Sequence, residues 1–565
     1  MKTWDRTSRI VALGLALVTV TVYSGSLTDP VNVTKLFVLG GFAFAAMGSI
    51  ISKNFISLFS DRKFGFVACL VFLVASLGVL FASKAPFSQS YYGTYGRNNG
   101  FLLYLFLILI FVASISIGEN QKFKKYLLAM WFAGVVNVLY AIWVLAFGDF
   151  VGWNNPYGNL LGTLGNPNFI GSFFGMFSGL LLVSVLSPTS TFRIRILALV
   201  FLPLLLVGIQ QSHAVQGRVL FVVSGAIVIF YYLYAKTSRN FLIFAYLFSL
   251  APVSILALMG TLQIGPLKSY LYKTSVSLRG EYWHAALQTG MSNPFLGVGF
   301  DSFGDWYRRS RRESAMILPG PETVTNAAHN VYLDMFAFGG WPLFLAYIII
   351  NLLVLISIFR FTVRHRSFDP VFVSLVTIWL SYQLQSIISI NQVGLAIWGW
   401  ALGGTLIAYE KNSKKRIDEI KHDNPTLRKR NIQSSQSAIQ FGGMFAGCGA
   451  IIGLIIAAPP LNADVKWRSA QLSQDAKKYE QVLETTFMNP MTSMKFDMTV
   501  DTFYSNGLND LAHKYALQAI EFNPDSFNAW RNLYVISTST KEEKDLALAN
   551  LKRLDPLNEQ VNDTK

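Results

Sequence analysis

The chain has 565 residues, of which 52% are hydrophobic and 14% aromatic, while Asp, Glu, Lys and Arg together make up only 14%. That balance excludes an ordinary water-soluble protein of this size and points to an all-α, polytopic membrane protein. The formal charge of +16 calls for no nucleic-acid partner, because most of the excess falls on short connections between apolar runs, where anionic membrane lipids attract it.

Apolar runs of about 17 to 25 residues, long enough to cross the hydrocarbon core as helix, recur about thirteen times. In chain order they lie at 10–24, 33–51, 64–82, 99–117, 126–147, 169–187, 195–211, 218–235, 241–261, 330–359, 371–390, 393–409 and 438–458. The first lacks a small-residue cleavage site and is followed by many others, so it reads as an anchor rather than a removable leader. Segments 1–9, 52–63, 118–125, 187–195, 235–240, 360–367 and 410–430 hold roughly half of the 47 Lys and Arg and are expected on the cytoplasmic side. Segments 24–32 and 148–168 are nearly free of them. Two large polar segments then fall outside the cell membrane: the loop 262–328 and everything after Pro459.

The expected organisation is a membrane part over 1–410 that carries the extracytoplasmic loop 262–328. A basic cytoplasmic connector over 411–437, an additional transmembrane helix over 438–458 and a soluble helical module over 462–565 follow. Cys69 and Cys448 both sit in apolar runs and imply neither a disulfide framework nor a metal site. In the module, Asn489-Pro490, Asn523-Pro524 and Asp555-Pro556 each end a helix-like stretch, with prolines 34 and 32 residues apart. That period resembles degenerate tetratricopeptide repeats, helix pairs that stack and offer a protein- or glycan-facing groove. An irregular helical tail is the alternative.

The loop 262–328 concentrates the chemistry. It carries Ser277-Leu278-Arg279-Gly280-Glu281-Tyr282-Trp283, then Asn293-Pro294 with Gly297-Val298-Gly299, the cluster Arg308-Arg309-Ser310-Arg311-Arg312, and His329-Asn330 at the mouth of the next span. Guanidinium groups beside a histidine suit a polyanionic phosphate substrate and a hydroxyl to be deprotonated. Three further stretches lie near the same boundary: Gly96-Arg97-Asn98-Asn99-Gly100, Gly165-Asn166-Pro167-Asn168 and Gln216-Gly217-Arg218. A glycine-rich turn before a helix exposes amide donors to an anion, whereas each arginine could equally snorkel to lipid phosphates.

Arg308, Arg309, Arg311 and Arg312 have two readings, a patch facing lipid phosphates or guidance of a diphosphate head group. His329 is the first choice for a base because its ordinary pKa lies near working pH. His213 and His284 could take its place, while His365, His422 and His513 fall elsewhere. Glu281, Asp301 and Glu322 are acidic alternatives. Asp334, one turn into a span, is expected to orient another group or pair with an arginine.

Taken together, Arg218, Ser277-Leu278-Arg279 with Trp283, Asn293-Pro294, Gly297-Val298-Gly299, His329-Asn330 and Gly339-Gly340 resemble the O-antigen ligase and polymerase-related family over residues 1–410. The resemblance implies a metal-independent, inverting glycan transferase without cofactors, in a bacterial inner membrane. Its donor would be a glycan on undecaprenyl diphosphate, and its acceptor a hydroxyl on a lipid, a polysaccharide or a protein. Arg279 and Arg218 would clamp the diphosphate with Arg97 in support, and His329 would serve as base. Asn166, Asn168, Trp283, Asn330 and the arginine cluster would line the substrate site. Repeat-unit polymerase and protein O-oligosaccharyltransferase are the alternatives within the class. A lipid-linked oligosaccharide flippase is the alternative outside it, disfavoured because ionisable residues gather at the boundary rather than mid-membrane. The repeats would add a protein partner.

Overall fold

Each apolar run contains a helix, and no strand occurs among the described residues of this computed structural model, which are 6–51, 55–153, 155–261, 265–266, 278–421, 435–484 and 489–562. Ser277, most of the loop before it and the middle of the basic connector with His422 lie outside them. The first half comprises α1 (Arg6–Val20), α2 (Asn32–Ile51), α3 (Phe55–Ala82), a short α4 (Phe87–Tyr92), α5 (Phe101–Ile115), α6 (Lys124–Phe147), α7 (Pro167–Leu186), α8 (Phe192–Gln211), α9 (Val215–Lys236) and α10 (Asn240–Thr261). The loop region then carries α11 (Arg279–Ser292) and α12 (Phe303–Ser310). After it come α13 (Val331–Arg364), α14 (Pro370–Ile387), α15 (Val393–Lys421) and the long α16 (Ser435–Ser473).

Nine of the helices are long and apolar enough to cross a membrane among the described residues, so the chain is a multi-pass helical membrane protein. The other expected spans include α1 and α5, each of 15 residues. At 1.5 Å per residue such a helix reaches about 22 Å, short of a hydrocarbon core of about 30 Å. α5 and the Val393–Tyr409 part of α15 lie in the middle of the bundle, buried along nearly their whole length, so protein rather than lipid surrounds them. α8 and α10 are peripheral, with Phe192, Phe241 and Phe248 turned outward as lipid-facing side chains are.

The first apolar run is helical only to Val20 rather than to residue 24. The reason comes from the next helix: Lys35, fully buried, donates through Nζ to the carbonyls of Val18, Thr19 and Thr21 at 3.0, 2.6 and 2.9 Å. A cation on those carbonyls satisfies the end of α1, where no further helical donors follow.

α16 does not stop at Pro459 but continues through Pro459 and Pro460 to Ser473. It lies against α2 along small residues: Gly453 and Ala457 of α16 meet Gly40 of α2, Gly449 abuts the Phe44 backbone and Gly48 the Phe445 backbone, so closely that a Cβ on Gly453 would strike the Gly40 carbonyl. Small residues on both sides let helix backbones approach in a membrane. The helix end then carries Asp464, whose Oδ2 accepts the N–H groups of Thr28 and Asp29 at 2.8 and 3.0 Å and whose Oδ1 accepts the Tyr95 hydroxyl at 3.0 Å.

Beyond it, α17 (Ala476–Leu483), α18 (Ser493–Ser505), α19 (Asn509–Phe522), α20 (Phe527–Val535) and α21 (Lys541–Leu554) enclose a second core of Trp467, Tyr479, Phe496, Phe503, Tyr515, Leu533 and Leu551. α18 pairs with α19, and α20 with α21. α19 and α21 end just before Asn523-Pro524 and Asp555-Pro556, because the ring nitrogen of proline has no hydrogen to continue a helix.

Candidate active site

Two motifs from the loop and one from α13 form a single structural unit. α13 breaks at Gly339 and at Gly340, where φ is 60° and ψ is -157°. That conformation favours glycine. The break frees backbone groups, and the segment after α11 binds them: Val298 N–H to Ala337 O at 2.9 Å, Gly299 N–H to Phe338 O at 3.0 Å, and Trp341 N–H to Pro294 O at 2.7 Å. A Cβ on Gly297 would collide with the Phe338-Gly339 backbone, and one on Gly340 with Pro294. Asn293-Pro294, Gly297-Val298-Gly299 and Gly339-Gly340 therefore lock the loop region onto α13 just beneath its first turns.

Above that lock sits His329. Its φ is 54°, in the left-handed region, and its neighbours hold it there. The Ala328 N–H donates to Asp334 Oδ1 at 2.8 Å. Asn330 Oδ1 accepts from the Tyr332 and Leu333 N–H groups at 3.0 and 3.2 Å, as a helix-capping side chain does. Asn330 is thus the cap of α13, and Asp334, buried one turn on, fastens the turn that presents the histidine.

α11 meets this turn through Tyr282, and Arg279 and Trp283, three before it and one after, share its side of the helix by their spacing of four. The Tyr282 ring lies 5.9 Å from the His329 ring and 5.8 Å from the Tyr307 ring of α12. Arg279 is 5% exposed, and its Nε and Nη1 are buried with no hydrogen-bond partner among the described residues. Burial lowers its pKa to about 10. Trp283 Nε1 and the Tyr307 hydroxyl are likewise buried and unpartnered among the described residues. His329 is driven down to about 4, first by burial and then by the positive charges of Arg279 and Arg97. At neutral pH its imidazole carries no charge and one ring nitrogen can accept a proton.

Arg97 is braced rather than free. Its Nη2 lies 2.6 Å from Asp301 Oδ1 and donates to the Asn326 carbonyl at 2.7 Å. Asp301, itself buried, also accepts the Thr94 and Asn99 N–H groups at 2.7 and 3.3 Å, so the glycine-rich 93–100 turn is tied to the loop through this carboxylate. Burial pushes Asp301 up and Arg97 pulls it down.

The other residues expected at the site are more scattered. Asn166 caps α7 by accepting the Asn168 N–H at 2.9 Å, while the Asn168 carbonyl accepts the Ser172 hydroxyl. Arg218 is exposed near the start of α9, beside the start of α7 where Gly217 abuts the Gly171 carbonyl. No contact joins Arg218 to Arg279 or His329 among the described residues. His284 is half-buried on α11, and His213 is exposed just before α9.

The arginine cluster has partners that neither sequence reading named. Asp555, at the end of α21, accepts from Arg308 Nη1 at 2.9 Å and from Arg311 Nη2 at 2.7 and 2.8 Å, and all three side chains are buried. Arg309 pairs with Asp525 at 3.0 Å and stacks over Trp306, and Arg312 forms a two-pronged pair with Glu281 at 2.8 Å. Sequence reasoning missed Tyr282, Tyr307 and Asp555. Tyr282 was recoverable from its spacing to Arg279, whereas Asp555 was marked only as a residue before proline.

No curated protein matches the chain. Residues 198–348, from within α8 to within α13, match the family model described as O-antigen ligase, a span that holds Arg218, Arg279 and His329 and leaves Arg97, Asn166 and Asn168 outside. Over that span, the chain is similar to the O-antigen ligase family.

Proposed function

We propose that the protein transfers a glycan from a polyprenyl diphosphate donor to an acceptor hydroxyl at the membrane face that carries residues 278–330, without a metal ion and with inversion at the anomeric carbon. The family match supports a membrane glycosyltransferase-like role in polysaccharide assembly. The observation that carries the finer reading is Arg279, buried on α11 with its Nε and Nη1 lacking a hydrogen-bond partner among the described residues, on the helix whose Tyr282 ring meets the His329 ring. A guanidinium without a partner in a desolvated site is costly until an anion arrives, and phosphate oxygens match its planar donor fork.

In the reaction His329 takes the proton of the acceptor hydroxyl as its oxygen bonds to the anomeric carbon. The bond from that carbon to the diphosphate oxygen breaks with its electron pair, and the lipid diphosphate leaves. Arg279, and Arg218 from the α9 side, would stabilise the charge that grows on the leaving group. Burial is the main cause that lowers His329, and a bound diphosphate would offset the smaller contribution of the Arg279 and Arg97 charges. Trp283 and Asn330 lie beside this centre, and Arg97 braces its wall.

The extracytoplasmic orientation rests on the Lys and Arg alternation. Reporter fusions after Asp61 and Lys414 should read inside and one after Asn506 outside. An inside reading at Asn506 would put the site on the wrong face for a flipped donor. The decisive experiment supplies purified protein with lipid-linked glycan and a hydroxyl acceptor in the presence of a chelator. Release of lipid diphosphate with a new glycosidic product is expected, and movement of intact donor between leaflets with no such release would overturn the reading. Lengthened glycan, glycosylated lipid and glycosylated protein are separable products and identify the acceptor.

A further inference from the structure

The three proline-marked turns of the C-terminal helices share a property that their spacing does not explain: all meet the same face of the membrane bundle. After the first, the Met491 carbonyl accepts the Ser88 hydroxyl at 2.9 Å, and Gln89 Oε1 accepts the Ser493 N–H at 3.1 Å. At the second, Asn523 Nδ2 donates to Asp305 at 2.9 Å, and Asp525 holds Arg309. At the third, Asp555 holds Arg308 and Arg311. These C-terminal helices therefore present a row of turns to α4 and α12, and the carboxylates of the second and third answer the arginines of α12 and its end. Arg308 also lies over the Phe527 ring at 4.2 Å.

α12 is the element between this contact and the reactive centre. Its Tyr307 lies beside Arg308 in sequence and packs on Tyr282, whose other neighbour is the His329 ring. A two-pronged arginine–carboxylate contact fixes direction as well as distance, and removing the carboxylate from a fully buried pair leaves charge uncompensated. We propose that Asp555 is a positioning residue of the transfer site: by holding Arg308 and Arg311 it fixes α12, so that Tyr307 and Tyr282 prop His329 in place. The C-terminal helices are thereby part of the frame of the site. This inference rests on the proposed transfer reaction for its kinetic consequence.

The test compares full-length wild type, Asp555→Asn and Asp555→Glu in two measurements. The first is the rate at which diethyl pyrocarbonate modifies His329, read by mass spectrometry, which needs no substrate. The second is kcat and donor KM in the transfer assay. Asp555→Asn should raise His329 modification several-fold and lower kcat by about 10- to 100-fold, the scale of a misplaced catalytic group, while donor KM changes little. Asp555→Glu, which keeps the charge, should restore most of both. Glu480→Gln, which removes an exposed pair with Lys514 in the same helices, should alter neither and controls for general loosening. Unchanged modification of His329 in Asp555→Asn would overturn the proposal, as would a raised modification with kcat intact. If wild type shows no transfer, the reaction assigned above fails, and the modification arm still decides whether Asp555 holds His329.

Discussion

Arg279 and the cluster Arg308 to Arg312 look alike in sequence, all being arginines of one polar loop, yet the structure treats them in opposite ways. Arg308 and Arg311 are buried against a carboxylate of the chain itself, and Arg309 and Arg312 are paired as well. Arg279 is as deeply buried and has two donors with no partner among the described residues, where Arg309 and Arg311 each have one, at Nε. An arginine whose charge is met within the chain joins two parts of the fold. One with donors unmet among the described residues in a desolvated place is, in the proposed reaction, the one that takes an anion from outside. The comparison separates arginines paired within the fold from the one proposed to bind substrate, where residue type alone could not.

The strongest way to break it is at the reacting pair. His329→Ala should lower transfer by about 10² to 10⁴, the usual worth of a general base, with donor binding retained, as measured on purified protein. Arg279→Ala should cost about 10² to 10³ in kcat, the loss expected when a donor to a developing anion is removed, and Arg279→Lys should recover only part because the planar fork is gone. If Arg279→Ala instead lowered thermal stability and left transfer unchanged, this arginine would belong with the docking set.

The docking set should show the reverse balance in stability. Arg311→Ala removes one partner of a fully buried pair, a change that typically costs about 3 to 5 kcal/mol, and Arg308 still partly neutralises Asp555, so the loss should fall near the lower figure. Thermal or chaotrope unfolding of the detergent-solubilised protein measures it. Arg312→Ala removes a half-exposed pair and should cost less than about 1 kcal/mol. Equal effects from the two would mean that the contact at Asp555 is not buried in solution.

The mildest test is pH. The proposed reaction uses His329 uncharged, and burial lowers its pKa in the free protein to about 4. Transfer at low donor concentration should therefore hold from neutral pH downward and fall only as pH drops through that value. Under saturating donor the fall should begin at higher pH, because the bound diphosphate offsets Arg279. An inflection near the ordinary histidine pKa at low donor would place the working base outside this buried turn.

The helices were legible because burial in lipid is written along the chain as apolar length, and every expected span contains one. Their ends were less so. The apolar run at 10–24 gives no hint that α1 stops at Val20, since the stop is made by Lys35, a residue of the next helix. The site was legible in part. His329, Arg279 and the glycine motifs stand out by residue type, but the reason for the glycines, a backbone crossing between Pro294–Gly299 and the break of α13, exists only once the two segments meet.

By itself, then, the sequence determined that this is a multi-pass helical protein, because hydrophobic length acts locally along the chain, and it pointed to one polar loop as the candidate site. Only the tertiary structure decided which arginines meet a carboxylate among the described residues. That outcome depends on Asp555 reaching Arg308 across 247 residues, and a carboxylate neutralises the guanidinium that folding brings beside it, whatever their separation in sequence.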